Sequence, residues 1–322
     1  MKIEVPLVEL DHSLDEYLAG EQSTRHSADM VKKIGDSLRK WGFVSLSGHG
    51  IDSRLLDRAY QAAQKTFALS ESEKQAYEDV KGGRQRGYTP LLKEKAKGQR
   101  KGDLKEFWHV GRQLAEDHPY RISNIMKDNL YPHEVPVFKQ VMQELYGAMD
   151  QLAHQMLGVI ENYLEIDKGA LSALADQGNS VLRVLHYPEM ERFGSQAQES
   201  VRAAAHEDIN LLTLLPAATQ PGLQLLTPDG EWLDISPPAG AIILDTGDMM
   251  TAVTGGILPA TTHRVINPKG ARKGPRLSMP FFMHPRPDAV LNPLITSDHL
   301  IEGQGLTAQA FLDKRLAENG LV

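Results

Sequence analysis

The chain has 322 residues, 41% hydrophobic and 24% charged, an ordinary globular composition that excludes a disordered or fibrous protein. A formal charge of −7 argues against a nucleic-acid binder, which would carry a basic face. The absence of cysteine excludes disulfides, thiolate metal sites and cysteine nucleophiles, and makes a reducing compartment, by default the cytoplasm, the expected location.

The first residues, MKIEVPLVELDHSLDEYL, are acidic where a secretory leader needs an apolar run. No window approaches the roughly 18 apolar residues of a membrane span. Ser27 is placed to cap a helix running to about Lys40, with Met30, Ile34 and Leu38 on one face. Gly42 ends it, Phe43–Leu46 reads as a short strand, and Gly48-His49-Gly50 reads as a tight turn with a structural histidine. Residues 53–67 are helical in period, and Ser70 with Glu73 forms a capping box for a further short helix. Residues 81–103, rich in Gly, Lys and Arg, predict a loop over a site or a surface segment. Within it, the basic run from Lys93 to Lys105 is interrupted by Glu94 and Asp103 and reads as a solvated face.

Residues 136–164 predict one long amphipathic helix, with Phe138, Val141, Met142, Leu145, Met149, Leu152 and Met156 at three- and four-residue spacing. Its methionines read as core filler. After residue 180 the pattern changes to short strands separated by Pro, Gly and Asp: Val181–Tyr187, Leu211–Leu215, Leu223–Leu226, Ala241–Leu244, Thr261–Ile266 and Arg276–His284. Thr307 to Asn319 reads as a helix. No repeat or low-complexity linker interrupts the chain. The fold class is therefore α+β with a mainly β core, an antiparallel sandwich or jelly roll with flanking helices. It is expected as one domain, 1–322, with a mixed N-terminal region (1–120) and a β core (177–290).

The sharpest local feature is Ala205-His206-Glu207-Asp208-Ile209. On a strand, His206 and Asp208 share a face and Glu207 points opposite. Such a pair alone is more often structural than metal-binding. Thr261-Thr262-His263-Arg264-Val265-Ile266 adds a second histidine, and two histidines with one carboxylate make the facial triad of non-haem Fe(II) oxygenases. By itself His263 could equally be a satisfied core histidine. Shortly after it, Arg276-Leu277-Ser278 puts a guanidinium fork and a hydroxyl on one strand face, a pair suited to the distal carboxylate of a small dicarboxylate.

With these residues in hand, the chain resembles the 2-oxoglutarate- and Fe(II)-dependent dioxygenases of the isopenicillin N synthase-like group. Trp41-Gly42-Phe43, Gly48-His49-Gly50-Ile51, Arg86-Gly87-Tyr88, Asp103-Leu104-Lys105-Glu106, Leu182–Pro188 and the run from Gly240 to Pro268 carry the resemblance. It implies a double-stranded β-helix, that is, a jelly-roll core. It implies His206, Asp208 and His263 as iron ligands. It implies Arg276 and Ser278, with Tyr187, as partners of the 2-oxoglutarate distal carboxylate, and O2 as the oxidant. Three positions depart from the family pattern: Leu185 where Asn is common, Glu207 where Thr is common, and Asn210 where Gly is common. They weigh against kinship with the plant hormone and flavonoid branches.

The expected partner is a small-molecule substrate, with no nucleic acid and no membrane; oligomeric state is not legible. Arg86, Tyr88, His186, Leu225 and Phe282 are the candidate substrate contacts, each with fold packing as an equal alternative. The outcome, whether hydroxylation, desaturation or ring closure, is left open. Two other readings stand beside this one: an Fe(II) oxidase of the isopenicillin N synthase or ethylene-forming kind that does not use 2-oxoglutarate, and a non-catalytic binding protein on the same fold. A zinc hydrolase fits less well, because Arg-x-Ser has no role in it.

Overall fold

A computed structural model describes residues 5–21, 24–94, 102–189, 202–267, 274–296 and 301–318. The N-terminal region begins with strand β1 (Leu7–Glu9) and helices α1 (His12–Ala19) and α2 (Arg25–Trp41). The cap of α2 is Thr24, not Ser27; Ser27 is the third helical residue and completes a reciprocal capping box with Thr24. Strand β2 (Phe43–Ser47), helices α3 (Ser53–Phe67) and α4 (Glu71–Gln75), and strands β3 (Gly87–Thr89) and β4 (Glu106–Gly111) follow. The segment expected as a loop over 81–103 thus contains a strand, β3, held by pairing of Tyr88 with Trp108 on β4. Residues 95–101 of that segment and of the basic run lie outside the described residues. Helices α5 (Pro119–Ile122), α6 (Pro136–Leu164) and α7 (Ala170–Ala175) lead into the β core.

The core strands are β5 (Val181–Tyr187), β6 (Ala203–His206), β7 (Leu212–Pro216), β8 (Leu223–Leu226), β9 (Trp232–Asp234), β10 (Ile242–Thr246), β11 (His263–Val265), β12 (Arg276–Ser278) and β13 (Phe281–Met283). The run expected as one strand from Arg276 to His284 is broken after Ser278, where Pro280 cannot donate to a ladder. Helix α8 (Asp248–Val253) sits between β10 and β11, and α9 (Ala308–Glu318) occupies the expected tail, Asn319 being outside the described residues. None of the helices among the described residues is long and apolar enough to cross a membrane.

The strands form two sheets, the two layers of a jelly roll. The larger runs β1-β2-β10-β7-β13-β5-β4-β3, with β12 also paired to β5, and the smaller runs β6-β11-β8-β9. Helix α6 packs on β13, β7, β5 and β4, and its apolar stripe, including Phe138, Met142, Met149 and Met156, is fully buried there. This is the main core, outside the large sheet. A smaller cluster lies between the sheets: Phe43 and Ile243 from one, Ala203, Leu223, Leu225 and Val265 from the other. Alternation along each strand decides which side chains face the helices and which face the interior of the roll.

Candidate active site

The interior of the roll brings two histidines together. His206 ends β6, His263 begins β11, and they are direct partners across the antiparallel ladder, with ring centroids 4.5 Å apart. Asp208 lies beyond the end of β6, in the following turn, so its convergence with His206 comes from the chain bending rather than from strand alternation. Each Nε2 stands 3.8 Å from Asp208 Oδ1, and the three potential ligand atoms lie within 4.8 Å of one another.

The outer atoms of all three are fixed. His206 Nδ1 is 2.7 Å from the Ala204 carbonyl, and His263 Nδ1 is 3.1 Å from that of Thr261. A carbonyl only accepts, so each Nδ1 carries the proton and each Nε2 offers its lone pair inward. Burial, with His263 beside it, pushes the His206 imidazole down to about 4, which keeps it neutral and ready to ligate. The Thr213 hydroxyl donates to Asp208 Oδ2 at 2.5 Å, leaving Oδ1 for the centre. Asn210 in turn donates to Leu212 O at 2.7 Å and to Thr213 Oγ1 at 3.0 Å. The Asn210 departure from the family pattern therefore has a structural use, since it steadies the hydroxyl that steadies the carboxylate. Glu207 accepts from Thr262 Oγ1, away from the triad centre.

The N-terminal motif supports the same site. Gly42 has φ +65°, and a Cβ there would stand 2.3 Å from Thr261 Oγ1. Thr261 Oγ1 donates to the Trp41 carbonyl at 2.8 Å, and the Phe43 ring meets His263 edge-on at 5.7 Å. His49 is structural as expected, with Nε2 2.8 Å from the Gly240 carbonyl.

On β12, Arg276 pairs with Tyr187 and Ser278 with Leu185 on β5. Both Arg276 and Ser278 are buried. Arg276 Nε donates to the Gln220 carbonyl at 3.1 Å, and the guanidinium lies 5.0 Å from the centre of the Tyr187 ring. Its Nη1 is buried with no hydrogen-bond partner among the described residues. Arg276 also forms the wall of a cavity of about 160 Å³ with Leu215, Leu223 and Ile243.

A larger cavity, about 290 Å³, opens on His206 and Asp208. Of the expected substrate contacts only Phe282 lines it. His186 and Tyr88 sit on the helix side of the large sheet, where His186 stacks on Phe67 at 5.0 Å and both contact the buried Glu106. Arg86 is buried against Asn179 at 3.0 Å, and Leu225 packs between the sheets opposite His263. The lining that sequence reasoning missed comes from the other face of the same strands. Lys105 and His109 flank the alternation of β4, and Arg183 shares a face of β5 with Tyr187. The even, four-residue spacing from Arg183 to Tyr187 along one strand was the available signal.

Arg183 lies over the rings of Phe107 (4.4 Å) and Phe282 (5.2 Å). It donates to His109 Nε2 at 2.7 Å and Glu94 Oε1 at 3.1 Å. His109 Nδ1 faces the Arg84 carbonyl at 2.9 Å, so this histidine is the neutral Nδ1–H tautomer, and burial, then Arg183, holds its pKa well below the ordinary value. Lys105 pairs with Asp103 at 2.8 Å and Glu94 at 3.4 Å. Helix α9 contributes Leu312, Arg315 and Leu316 to the wall and is tied by Arg315 Nη2 to Asp248 Oδ2 at 2.8 Å.

Two family models match: "non-haem dioxygenase in morphine synthesis N-terminal" over residues 5–134, and "2OG-Fe(II) oxygenase superfamily" over residues 178–285. The second spans the triad and Arg276. A 2-oxoglutarate-Fe(II) type oxidoreductase of Emericella nidulans is 32% identical over 82% of this chain and 76% of that protein. The chain belongs to the 2-oxoglutarate- and Fe(II)-dependent dioxygenase family. The crystal structure of a 2OG-Fe(II) oxygenase family protein from Caulobacter crescentus is 36% identical, covers 99% of both chains and superposes with a TM-score of 0.81. A full-length Neurospora crassa protein, solved in complex with alpha-KG and thymine, shares the fold at 23% identity, covering 97% of this chain and 96% of its own, with a TM-score of 0.81.

The dioxygenase is thus an enzyme that uses Fe(II), 2-oxoglutarate and O2. Its own side chains fit that set. Two imidazoles with Nε2 turned inward and a carboxylate on one side of a centre suit Fe(II) with open positions, and a buried guanidinium with an unmatched N–H suits an anionic co-substrate. Of the readings weighed from sequence, the main one holds, and its jelly roll is the one observed.

Proposed function

We propose that this dioxygenase holds iron on His206, Asp208 and His263, holds the distal carboxylate of 2-oxoglutarate on Arg276 and Ser278 with Tyr187 beside them, and oxidises a small polar molecule bearing both hydrogen-bond donors and acceptors. The cavity beside His206 carries the substrate reading. Its lining combines Lys105 and Arg183 with Glu94 and Asp103, and two buried atoms in it, Glu94 Oε2 and His284 Nδ1, have no hydrogen-bond partner among the described residues. Buried polar atoms without partners are costly, and a substrate that donates to one and accepts from the cations would complete them. An apolar substrate would leave them unmatched.

When bound, iron with 2-oxoglutarate and O2 supplies the oxidising power, and the co-substrate leaves as succinate and CO2. The protein's part is orientation and exclusion of water. Arg183, held over the rings of Phe107 and Phe282, is fixed in place, and the tail helix closes part of the cavity wall. That the Neurospora crassa protein was solved with thymine, a polar ring with adjoining N–H and C=O groups, supports the same class of substrate. The core cluster runs from Val8 to Leu316 through both matched segments, which supports a single working domain. The N-terminal motifs support the isopenicillin N synthase-like group, and the lack of cysteine supports a cytoplasmic setting.

The test is succinate release from Fe(II)-loaded protein with 2-oxoglutarate, O2 and a panel of small molecules. Polar nitrogen heterocycles and amino-acid-like compounds are expected to stimulate turnover, and Glu94→Gln to raise KM roughly tenfold, as loss of one charge-assisted hydrogen bond would. His206→Ala is expected to abolish turnover. Stimulation by apolar compounds alone would overturn the substrate class, and undiminished turnover in His206→Ala would overturn the ligand set.

A further inference from the structure

Arg202, just before β6, is buried to 3% exposure. Its Nε and Nη1 are buried without a hydrogen-bond partner among the described residues, as is Nη1 of Arg276. The two guanidiniums are joined through one residue. Gln220 accepts from Arg202 Nη2 at 3.3 Å through Oε1, and from Arg276 Nε at 3.1 Å through its backbone carbonyl. The Gln220 amide is itself oriented, because Nε2 donates to the carbonyls of Gly274 (2.9 Å) and Pro275 (3.1 Å). Its oxygen is thereby left to face Arg202.

Two like charges held together in the interior repel, and no carboxylate among the described residues forms an ion pair with either. Burial, then the neighbouring Arg276, lowers the Arg202 pKa to about 10, which still leaves it charged at neutral pH. A buried pair of cations with three unmatched N–H atoms is the signature of a missing anion. We propose that Arg202 is a second arginine of the co-substrate pocket, sharing the distal carboxylate of 2-oxoglutarate with Arg276. This rests on the assignment of Arg276 to that carboxylate. With two forks, the carboxylate can be gripped on both oxygens, and the pocket discriminates strongly against 2-oxoacids that lack a distal charge.

Isothermal titration of the anaerobic Fe(II)-loaded enzyme tests this. The ligands are 2-oxoglutarate and 2-oxobutyrate, which shares the chelating end and lacks the distal carboxylate. Arg202→Gln is expected to weaken 2-oxoglutarate roughly 10- to 100-fold and to leave 2-oxobutyrate unchanged, with Arg202→Lys falling between. Equal affinity for 2-oxoglutarate in the wild type and Arg202→Gln would overturn the proposal. So would an equal loss for both ligands, which marks a purely structural arginine. Arg202→Lys supplies the same comparison if the Gln variant does not fold. The Arg276→Gln variant separates the two claims: if it alone loses 2-oxoglutarate, the co-substrate assignment survives and the role of Arg202 falls.

Discussion

At the scale of single residues, the arrangement around Asp208 shows how a weak tripeptide becomes a candidate metal site. Nothing in His206-Glu207-Asp208 requires a metal, and the pairing of His206 with His263 across β6 and β11 is what makes it one. Thr213 and Asn210 complete it by fixing the carboxylate. Residues that orient ligands in this way contribute roughly 10- to 100-fold in metal affinity. Thr213→Val is therefore expected to weaken iron binding by about that factor while preserving the fold, measured by anaerobic Fe(II) titration alongside a melting curve. Unchanged affinity would show the hydroxyl to be incidental. The grouping of His206, Asp208 and His263 was legible from the sequence through resemblance to a family, as were Arg276 and Ser278, the residues proposed for the co-substrate. Thr213, Asn210 and the role proposed for Arg202 were not, because they depend on which atoms pair and which remain unpaired once the chain has folded.

At the scale of elements, two of the misplaced contacts share one cause. His186 and Tyr88 were expected near the substrate, but β4 and β5 present Glu106 and His186 to the helices, and the cavity receives Lys105, His109 and Arg183. Shifting by one position along a strand exchanges the two faces. Here each face carries polar residues, so hydrophobic alternation does not say which is which. The helix-facing set is a buried network in which Glu106 accepts from Lys74 at 2.6 Å and from Tyr88 at 2.5 Å. Gly42 carries a different element-scale prediction. It joins α2 to β2 with φ +65°, and an added methyl would meet Thr261 Oγ1 at 2.3 Å and the Pro259 carbonyl at 2.8 Å. Gly42→Ala is expected to cost about 2–4 kcal/mol in urea denaturation, from backbone strain together with the clash. It should also reduce activity, since Thr261 holds the His263 strand. A midpoint indistinguishable from the wild type would refute this.

At the scale of the whole molecule, stability responds to pH through buried histidines. Burial pushes His284 down from 6.5 to about 4. Between those values the unfolded chain takes up a proton that the native chain refuses, so stability falls as pH drops through that window and is fully present above about 6.5. The contribution of His284 is on the order of 3 kcal/mol. Denaturation midpoints measured from pH 7.5 to 4.5 should decline, and His284→Gln should flatten the decline; a profile unchanged in the variant would remove His284 as its source. The jelly-roll class was legible because strand-length apolar runs separated by turn residues filled the second half of the chain. The assignment of strands to two sheets was not, since partners such as β2 and β10 are far apart in sequence.

Helix α9 touches the cavity with Leu312 and Leu316 but contributes none of the three histidine and aspartate side chains and no part of the arginine pocket. One wall of the cavity is therefore encoded in a stretch of the polypeptide separate from the triad. Both leucines also belong to the main core, so a laboratory library confined to them is expected to change the range of accepted molecules only where the replacements keep that packing.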